Sequence, residues 1–456
     1  MKKYEVNKLE NKMFVNQYLM REEDTLLATK LKKDASIENL SMLIKKRLNC
    51  YVLASEGDEV FVFNKELGIY KSGNQILERI IAYILEEKEM KWSSKKSNEI
   101  IRKLSIDVDI VERNSTNKVG FAFRNKTILT EGSKVEVVDH SPDYYLTQCS
   151  PVTYDSEATC PSITNFLNQI QGDKTTIENM IQWLGYQLTS NAKPQNLVFA
   201  TGCGSNGKSV WWALMAALLG EVNVSNSTLE NISSRFGKQI LLGKKANISF
   251  ESDSAKFSSG ILKELSSGDS VNIDRKNKTE ISQVLTTKLT FVTNQLPILT
   301  DLTHGWERRV MIIPFNVTFT KEQQDRDLLD KLKVELSGLL NLAIAGLDKL
   351  IQNEYKFIES EEMKKQKEQY FKQGNPVRGF VEKFLEQDNK GRCYKNDILA
   401  AYEEFLEENG IAPSHTKAKF WGDFATNMME IHKILDGICY SRDKNGYFLK
   451  GFKLKK

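Results

Sequence analysis

The segment Gly202-Cys203-Gly204-Ser205-Asn206-Gly207-Lys208-Ser209 constrains this chain more than any other feature. It fits the pattern G-x-x-x-x-G-K-[ST]. In that pattern the glycines let backbone N–H groups turn inward around phosphate oxygens. Lys208 is then the residue that reaches the β/γ-phosphates, and Ser209 offers its hydroxyl to Mg²⁺. The flanks agree with this reading. Leu197-Val198-Phe199-Ala200 has the character of a short buried strand, and Ser209 to Leu219 that of the helix that follows. Residues 191 to about 318 alternate strand and helix signals, as a parallel α/β sheet does. ATP and Mg²⁺ are the expected ligands.

Composition bounds the rest. A chain of 456 residues holds about three domains on a soft prior. No apolar run approaches the roughly 18 residues of a membrane span, and Met1-Lys2-Lys3-Tyr4-Glu5 gives no signal-peptide core. The six cysteines are scattered without a C-x-x-C pair, which argues against a zinc site or a disulfide framework. A cytoplasmic location and no membrane partner are therefore expected. The net charge of +4 means that any nucleic-acid footprint must be local.

Five segments are expected. Residues 1–150 form an α+β domain: charged helices around Leu26–Leu31 and Ile37–Leu48, then strands at 60–63 and 119–123 flanking a helix at 75–85. Residues 151–190 form a helical collar whose stripe Ile177, Met180, Ile181, Leu184 and Leu188 is for packing. Residues 191–355 form the nucleotide-binding domain, ending in a helical stretch over 321–352. Residues 356–376 are a charged helix and linker broken at Gly374-Asn375-Pro376. Residues 377–456 are a separate small unit.

Four motifs follow the loop. Ala246, Ile248 and Phe250 alternate in a strand that ends in Glu251 and Asp253; Glu251 is the candidate for polarising water and Asp253 for helping to hold the metal. A helix ends near Gly268, and Val271 to Thr279 reads as a hairpin with the basic tip Arg275, Lys276 and Lys278, suited to gripping a phosphate backbone. The strand Leu289–Thr293 delivers Asn294, a polar sensor for the γ-phosphate. Arg308 and Arg309 precede the strand Val310–Phe315, where an arginine can serve a neighbouring subunit's nucleotide.

This ordered series resembles the superfamily 3 helicases, and more narrowly the helicase half of the phage, plasmid and poxvirus primase-helicase family. The residues that carry it are Gly202–Ser209, Gly243–Glu251, Leu262–Asp269, Thr293–Pro297 and Gly305–Phe315. Phe166-Leu167, Gly172-Asp173 and Trp183–Tyr186 are similar to the helical segment that precedes this ATPase, and Phe121 to Asp155 to its run-in, so the resemblance covers roughly 58–352. It implies an AAA+ core within an α/β fold and a ring, usually hexameric, with ATP between subunits. It also implies a hairpin in which Lys276 and Lys278 pull one DNA strand with 3′-to-5′ polarity, Asn294 as sensor, and Arg309, with Arg308 close second, as trans finger. Ser252 separates Glu251 from Asp253, where the superfamily commonly has adjacent carboxylates. Asp107-Val108-Asp109 and His140 do not make the metal cluster of a primase.

The C-terminal unit reads as helix 394–409, helix 417–429 and a hairpin 439–449 turning on Asn445-Gly446, which resembles a winged helix. Lys417 and Lys419 would open its recognition helix, and Arg442 and Lys444 would sit on the wing. The layout is that of a replication initiator, similar to the initiator-helicases of mobile pathogenicity islands and cassettes, with host replication proteins as further partners. Two other readings compete. One is an origin-binding ATPase switch that recruits a host helicase; the other is a P-loop small-molecule kinase.

Overall fold

The computed structural model describes residues 10–20, 35–54, 59–112, 115–251, 256–257, 259–299, 304–374, 376–409, 416–434 and 437–455. Leu26–Leu31 and Asp253 lie outside the described residues. The chain falls into two compact units: Met1–Ala255 with Gly260–Gln295 and Arg309–Ser360, and Lys256–Ser259 with Leu296–Arg308 and Glu361–Lys456.

The first unit begins with a mixed sheet. Strands β1 (Cys50–Leu53), β2 (Val60–Asn64), β3 (Ile69–Ser72) and β4 (Asp109–Val111) lie in the order β3-β2-β1-β4, antiparallel except for the β1–β4 pair. The helices Ile37–Arg47 and Ser94–Asp107 start on Ser36 and Ser93, whose hydroxyls accept from Asn39 N and Lys96 N at 3.3 Å. The helix Asn74–Glu87 turns Leu77, Ile80, Ile81, Ile84 and Leu85 into the core. A small antiparallel sheet follows: β5 (Gly120–Ala122), β6 (Thr127–Leu129) and β7 (Glu136–Val138).

Further along come β8 (Leu197–Thr201), β9 (Val224–Ser225), β10 (Ala246–Glu251), the two-residue β11 (Lys256–Phe257), a hairpin of β12 (Ser270–Arg275) and β13 (Lys278–Val284), β14 (Lys288–Thr293), the two-residue β15 (Ile298–Leu299) and β16 (Val310–Pro314). Five of these make one parallel sheet in the order β16-β8-β14-β10-β9. A parallel sheet is covered on both faces, so its strands are buried without alternation; every residue of β8, β14 and β16 is buried. This explains the weakly apolar β10. Asn247 and Ser249 are as buried as Ala246 and Ile248, while Phe250 is 52% exposed. The Asn247 amide is satisfied by Ser225 Oγ at 2.9 Å, Ser227 N at 2.8 Å and Ser227 O at 2.9 Å.

Two lysines stand at the N-terminal edge of this sheet. Lys288 N donates to Lys245 O at 2.9 Å. The Lys245 ammonium donates to Leu188 O, Gly120 O and Ser190 Oγ at 3.3–3.4 Å, and Lys288 Nζ to Asn191 O at 2.5 Å and Thr286 O at 2.9 Å. Burial pulls Lys245 down from 10.5 to about 7 and holds Lys288 well below the usual lysine value.

The segment expected to form a collar holds two helices, Pro161–Ile170 and Lys174–Gln187, the second capped by Asp173 on Thr176 N at 2.7 Å. Trp183 Nε1 donates to Thr290 Oγ1 at 3.0 Å, tying this helix to β14. A Cβ on Gly185 would lie 2.3 Å from Ala343 O, so the helix Leu336–Gln352 packs backbone-close against it. The helical stretch expected over 321–352 is broken. A 3₁₀ turn, Lys321–Gln323, and the helices Leu328–Lys333 and Leu336–Gln352 divide it, with Asp325 Oδ1 taking Asp327 N at 2.9 Å in a local turn that competes with helix.

In the second unit β11 and β15 pair in parallel, Lys256 with Ile298 and Phe257 with Leu299. The charged stretch is the helix Glu361–Gly374. The helix Pro376–Phe384, β17 (Leu385–Tyr394), the helices Lys395–Glu408 and Lys417–His432, β18 (Tyr440–Asp443) and β19 (Gly446–Leu454) follow. The strands form an antiparallel sheet in the order β17-β19-β18 over a core that includes Val377, Phe380, Phe405, Phe420, Phe424 and Leu449. Three features differ from expectation. The helix Pro376–Phe384 and the strand β17 are additional, and the hairpin turns one residue earlier, on Lys444-Asn445: Asp443 pairs with Gly446, and its Oδ1 accepts from Asn445 N at 2.8 Å. Among the described residues, no helix is long and apolar enough to cross a membrane.

Candidate functional site

The register of the parallel sheet builds the site. Thr201 of β8 pairs with Thr293 of β14, and Thr293 with Glu251 of β10. The phosphate loop, Asn294 and Glu251 therefore leave three adjacent strands at one level, the C-terminal edge where ligands of open α/β sheets bind.

The loop needs its glycines. A Cβ on Gly202 would lie 2.3 Å from Phe315 O, and one on Gly207, at φ +81°, 2.4 Å from Ile170 Cγ2. Asn206 fixes the crest by donating to Phe315 O at 3.1 Å, and Phe319 N donates to Ser205 O at 2.7 Å. The helix Lys208–Leu219 starts on Gly207 with no side-chain cap, which leaves its first turn open to an anion. Lys208 is buried, its ammonium donating to Gly202 O, to Asn294 Oδ1 at 3.2 Å and to Thr293 O at 3.3 Å. Burial lowers its pKa from the usual lysine value. The lysine and the sensor predicted from sequence are thus in contact. Cys203, Ser205 and Ser209 are exposed.

A cavity of about 330 Å³ lies over this loop. Gly204 to Val210 and Asn294 form its floor, and Phe166, Gln169, Phe319, Gln323, Gln324, Asp325 and Leu328 its walls. The wall residues from 319 onward carry no motif; they reach the loop only because β16 runs beside β8. Lys331 donates to Asp325 at 2.5 Å, and this bond holds the Asp325 carboxyl below the usual carboxylate range. The donor set fits a magnesium nucleotide: a glycine cradle, an exposed Ser209 hydroxyl and a carboxylate-bearing residue, Glu251, on the same edge. Among the described residues, no three His, Cys, Asp or Glu side chains form a metal-binding group.

Arg309 sits at the other end of the sheet. Its carbonyl accepts from Leu197 N at 2.9 Å and Asn196 Nδ2 at 3.2 Å, at the start of β8. The loop begins four strand residues further on, about 13 Å along β8. Arg309 therefore lies away from the loop. Arg308, in the second unit, is exposed.

The hairpin β12–β13 turns on Lys276-Asn277, with Asn277 at φ +59°. Lys276 and Lys278 are exposed. Arg275 is not: it is 9% exposed, and its Nε donates to Thr279 O at 2.9 Å, bracing the turn. Gln239 Oε1 accepts from Lys276 N at 2.9 Å, and Arg235 pairs with Asp274 at 3.1 Å, which anchors the hairpin at its side. In the second unit Thr416 caps the helix Lys417–His432, and Lys417 and Lys419 are exposed on its first turn. Lys444 is exposed at the hairpin turn, and the exposed Arg442 guanidinium lies 5.1 Å from the Tyr447 ring. Asp107 pairs with Lys103 at 2.5 Å, and His140 Nδ1 lies 2.8 Å from Thr127 Oγ1.

Comparison with known proteins adds three findings. Residues 41–172 match the family described as D5 N terminal like, and residues 200–309 match a family of unknown function, DUF5906. A protein of Acanthamoeba polyphaga mimivirus named "Putative helicase L207/L206" is 27% identical over 198 residues, which cover 41% of this chain and 21% of that protein. The chain thus matches about a fifth of that relative's length. Among solved structures, the A form apo structure of the NrS-1 C terminal region aligns with a TM-score of 0.52 at 15% identity, over 91% of this chain and 98% of that one. A second apo structure of the same region gives 0.51 at 14% identity. The chain shares that region's mixed α/β fold.

Proposed function

We propose that this protein is an ATP-dependent DNA helicase and replication initiator, a ring that binds and melts origin DNA and moves 3′-to-5′. One observation carries the reading: the common register of Thr201, Thr293 and Glu251, which gathers the phosphate loop, a sensor and an acidic residue on one sheet edge. The mimivirus relative's name and the D5 N-terminal-like match support it. So does the position of β14 between β8 and β10, the strand order of an AAA+ core.

In this reading Lys208 exchanges Asn294 Oδ1 and Gly202 O for phosphate oxygens when ATP enters. Asn294 is thereby released to the γ-phosphate, so the Lys208–Asn294 contact reports the nucleotide state. Glu251 orients the attacking water. Ser209, with Glu251 and Asp253, would hold Mg²⁺, which when bound neutralises charge on the β- and γ-phosphates. The position of Arg309 beyond reach of its own loop suits a finger acting on the neighbouring subunit, with Arg308 as its companion. In this reading the ring is a hexamer, and the exposed Phe250 offers apolar surface to it.

Lys276 and Lys278 grip single-stranded DNA, with Arg275 as their brace rather than a third contact. The element order helix–strand–helix–helix–strand–strand and the sheet order β17-β19-β18 support a winged helix in the C-terminal unit. There Lys417, Lys419, Arg442 and Lys444 meet duplex origin DNA. Host replication proteins would complete the assembly.

The test is strand displacement on a forked duplex with ATP. The wild type unwinds, Lys276→Ala/Lys278→Ala hydrolyses ATP without unwinding, and Lys208→Ala does neither. A wild type that binds DNA and hydrolyses ATP but never separates strands replaces this reading with an origin-binding switch.

A further inference from the structure

The chain leaves the C-terminal edge of the parallel sheet from two neighbouring strands, at Glu251 and at Asn294. Their continuations, β11 and β15, pair with each other, and both belong with the C-terminal unit rather than with the sheet. The chain crosses between the units at Gln295–Leu296 and returns at Arg308–Arg309. The excursion thus starts beside the sensor and ends at the two arginines.

Two side chains of the C-terminal unit hold this excursion at its ends. Tyr370 is 9% exposed, and its hydroxyl donates to Pro297 O at 2.7 Å, three residues past Asn294. The Arg378 guanidinium lies 3.7 Å from the carboxylate of Glu307, the residue before Arg308, and is itself aligned by Glu382 at 2.9 Å. Between them Trp306 is fully buried. Arg378 sits on the helix Pro376–Phe384, whose Val377, Phe380 and Val381 share one core with Phe420 and Phe424 of the helix Lys417–His432. The helix that opens with Lys417 and Lys419 therefore packs on the helix that holds Glu307. Close-packed cores transmit displacement rather than absorb it.

We infer that Tyr370 and Arg378 are positioning residues that couple DNA occupancy of the C-terminal unit to the settings of Asn294 and Arg308, so that DNA binding sets the rate of ATP turnover. This rests on the helicase reading above. Neither residue touches nucleotide. Each acts through a short covalent span, Pro297 to Asn294 and Glu307 to Arg308.

The experiment is steady-state ATP turnover of the full chain, with and without forked DNA, for wild type, Tyr370→Phe, Glu307→Gln, Arg378→Ala and Arg378→Lys. Duplex-DNA affinity and thermal midpoint are measured alongside. DNA stimulation of kcat falls about five-fold in Tyr370→Phe and Glu307→Gln, the scale of one hydrogen bond and of one partly exposed ion pair. KM for ATP and duplex affinity hold, and Arg378→Lys recovers stimulation that Arg378→Ala loses. Variants stimulated as fully as wild type overturn the proposal. So does a loss of duplex affinity or of melting temperature that accounts for the lost turnover, which marks a merely structural role. A wild type that hydrolyses no ATP overturns the helicase reading and this inference with it, whereas stimulated wild type beside fully stimulated variants overturns this inference alone.

Discussion

Replacing Lys245 by methionine isolates the cost of a buried ammonium. The lysine is fully buried, its partners are three neutral oxygens at 3.3–3.4 Å and the Phe121 ring at 5.0 Å, and its pKa falls from 10.5 to about 7. For a base whose folded pKa lies below its unfolded one, the unfolded chain binds more protons between the two values, so stability rises with pH across that window. The linkage gives a cost of about 4 kcal/mol at pH 7 that shrinks to about 2 kcal/mol at pH 9. Lys288, next to it and lowered well below the usual value, adds in the same direction. Lys245→Met removes the charge but also three long hydrogen bonds, worth roughly 0.5 kcal/mol each. The variant is thus more stable than wild type at pH 7 by about 2 kcal/mol and nearly equal to it at pH 9. Calorimetric melting at the two pH values reads the difference as a gap of several degrees that closes, at about 2–4 °C per kcal/mol. Parallel wild-type and variant midpoints across that range would refute the argument, because the ammonium would then not be desolvated.

Two further outcomes are expected. Gly207→Ala must hold a left-handed φ of +81° with a Cβ 2.4 Å from Ile170 Cγ2, so ATP binding weakens and folding stability drops by about 2 kcal/mol; unchanged nucleotide affinity by titration contradicts the loop geometry. Lys276→Ala/Lys278→Ala reduces the slope of log affinity for single-stranded DNA against log salt by about 1.4. An unchanged slope in an anisotropy titration removes the hairpin tip from the DNA interface.

The legible parts of the site were those written in consecutive residues. The phosphate loop, the helix after it and the strand Leu289–Thr293 each have a local pattern, and each lies within a residue of where that pattern puts it. The cleft wall was not legible. Phe319, Gln323 and Leu328 acquire their role from the pairing of β16 with β8, which no local pattern encodes. Strand β17 was hidden because Glu386-Gln387-Asp388-Asn389-Lys390 has no apolar alternation; its pairing with β19 supplies what propensity does not. Arg275 was recoverable. It follows Val271 and Ile273 at the period of two that lines one strand face, and all three are buried. Read as a run of charge, the tip looks uniform; read by face, it splits into one brace and two exposed cations.

The return of Leu296–Arg308 to the later unit also sets an order of events during synthesis. Chains fold from the N-terminus as they emerge, at about 5–20 residues per second. The excursion emerges before Tyr370 and Arg378 exist to hold it, so Pro297 and Glu307 wait several seconds for their partners. Until the helices Glu361–Gly374 and Pro376–Phe384 arrive, the nascent chain has its phosphate loop but not the anchors beyond Asn294. A chain stopped near residue 360 would stay in that state.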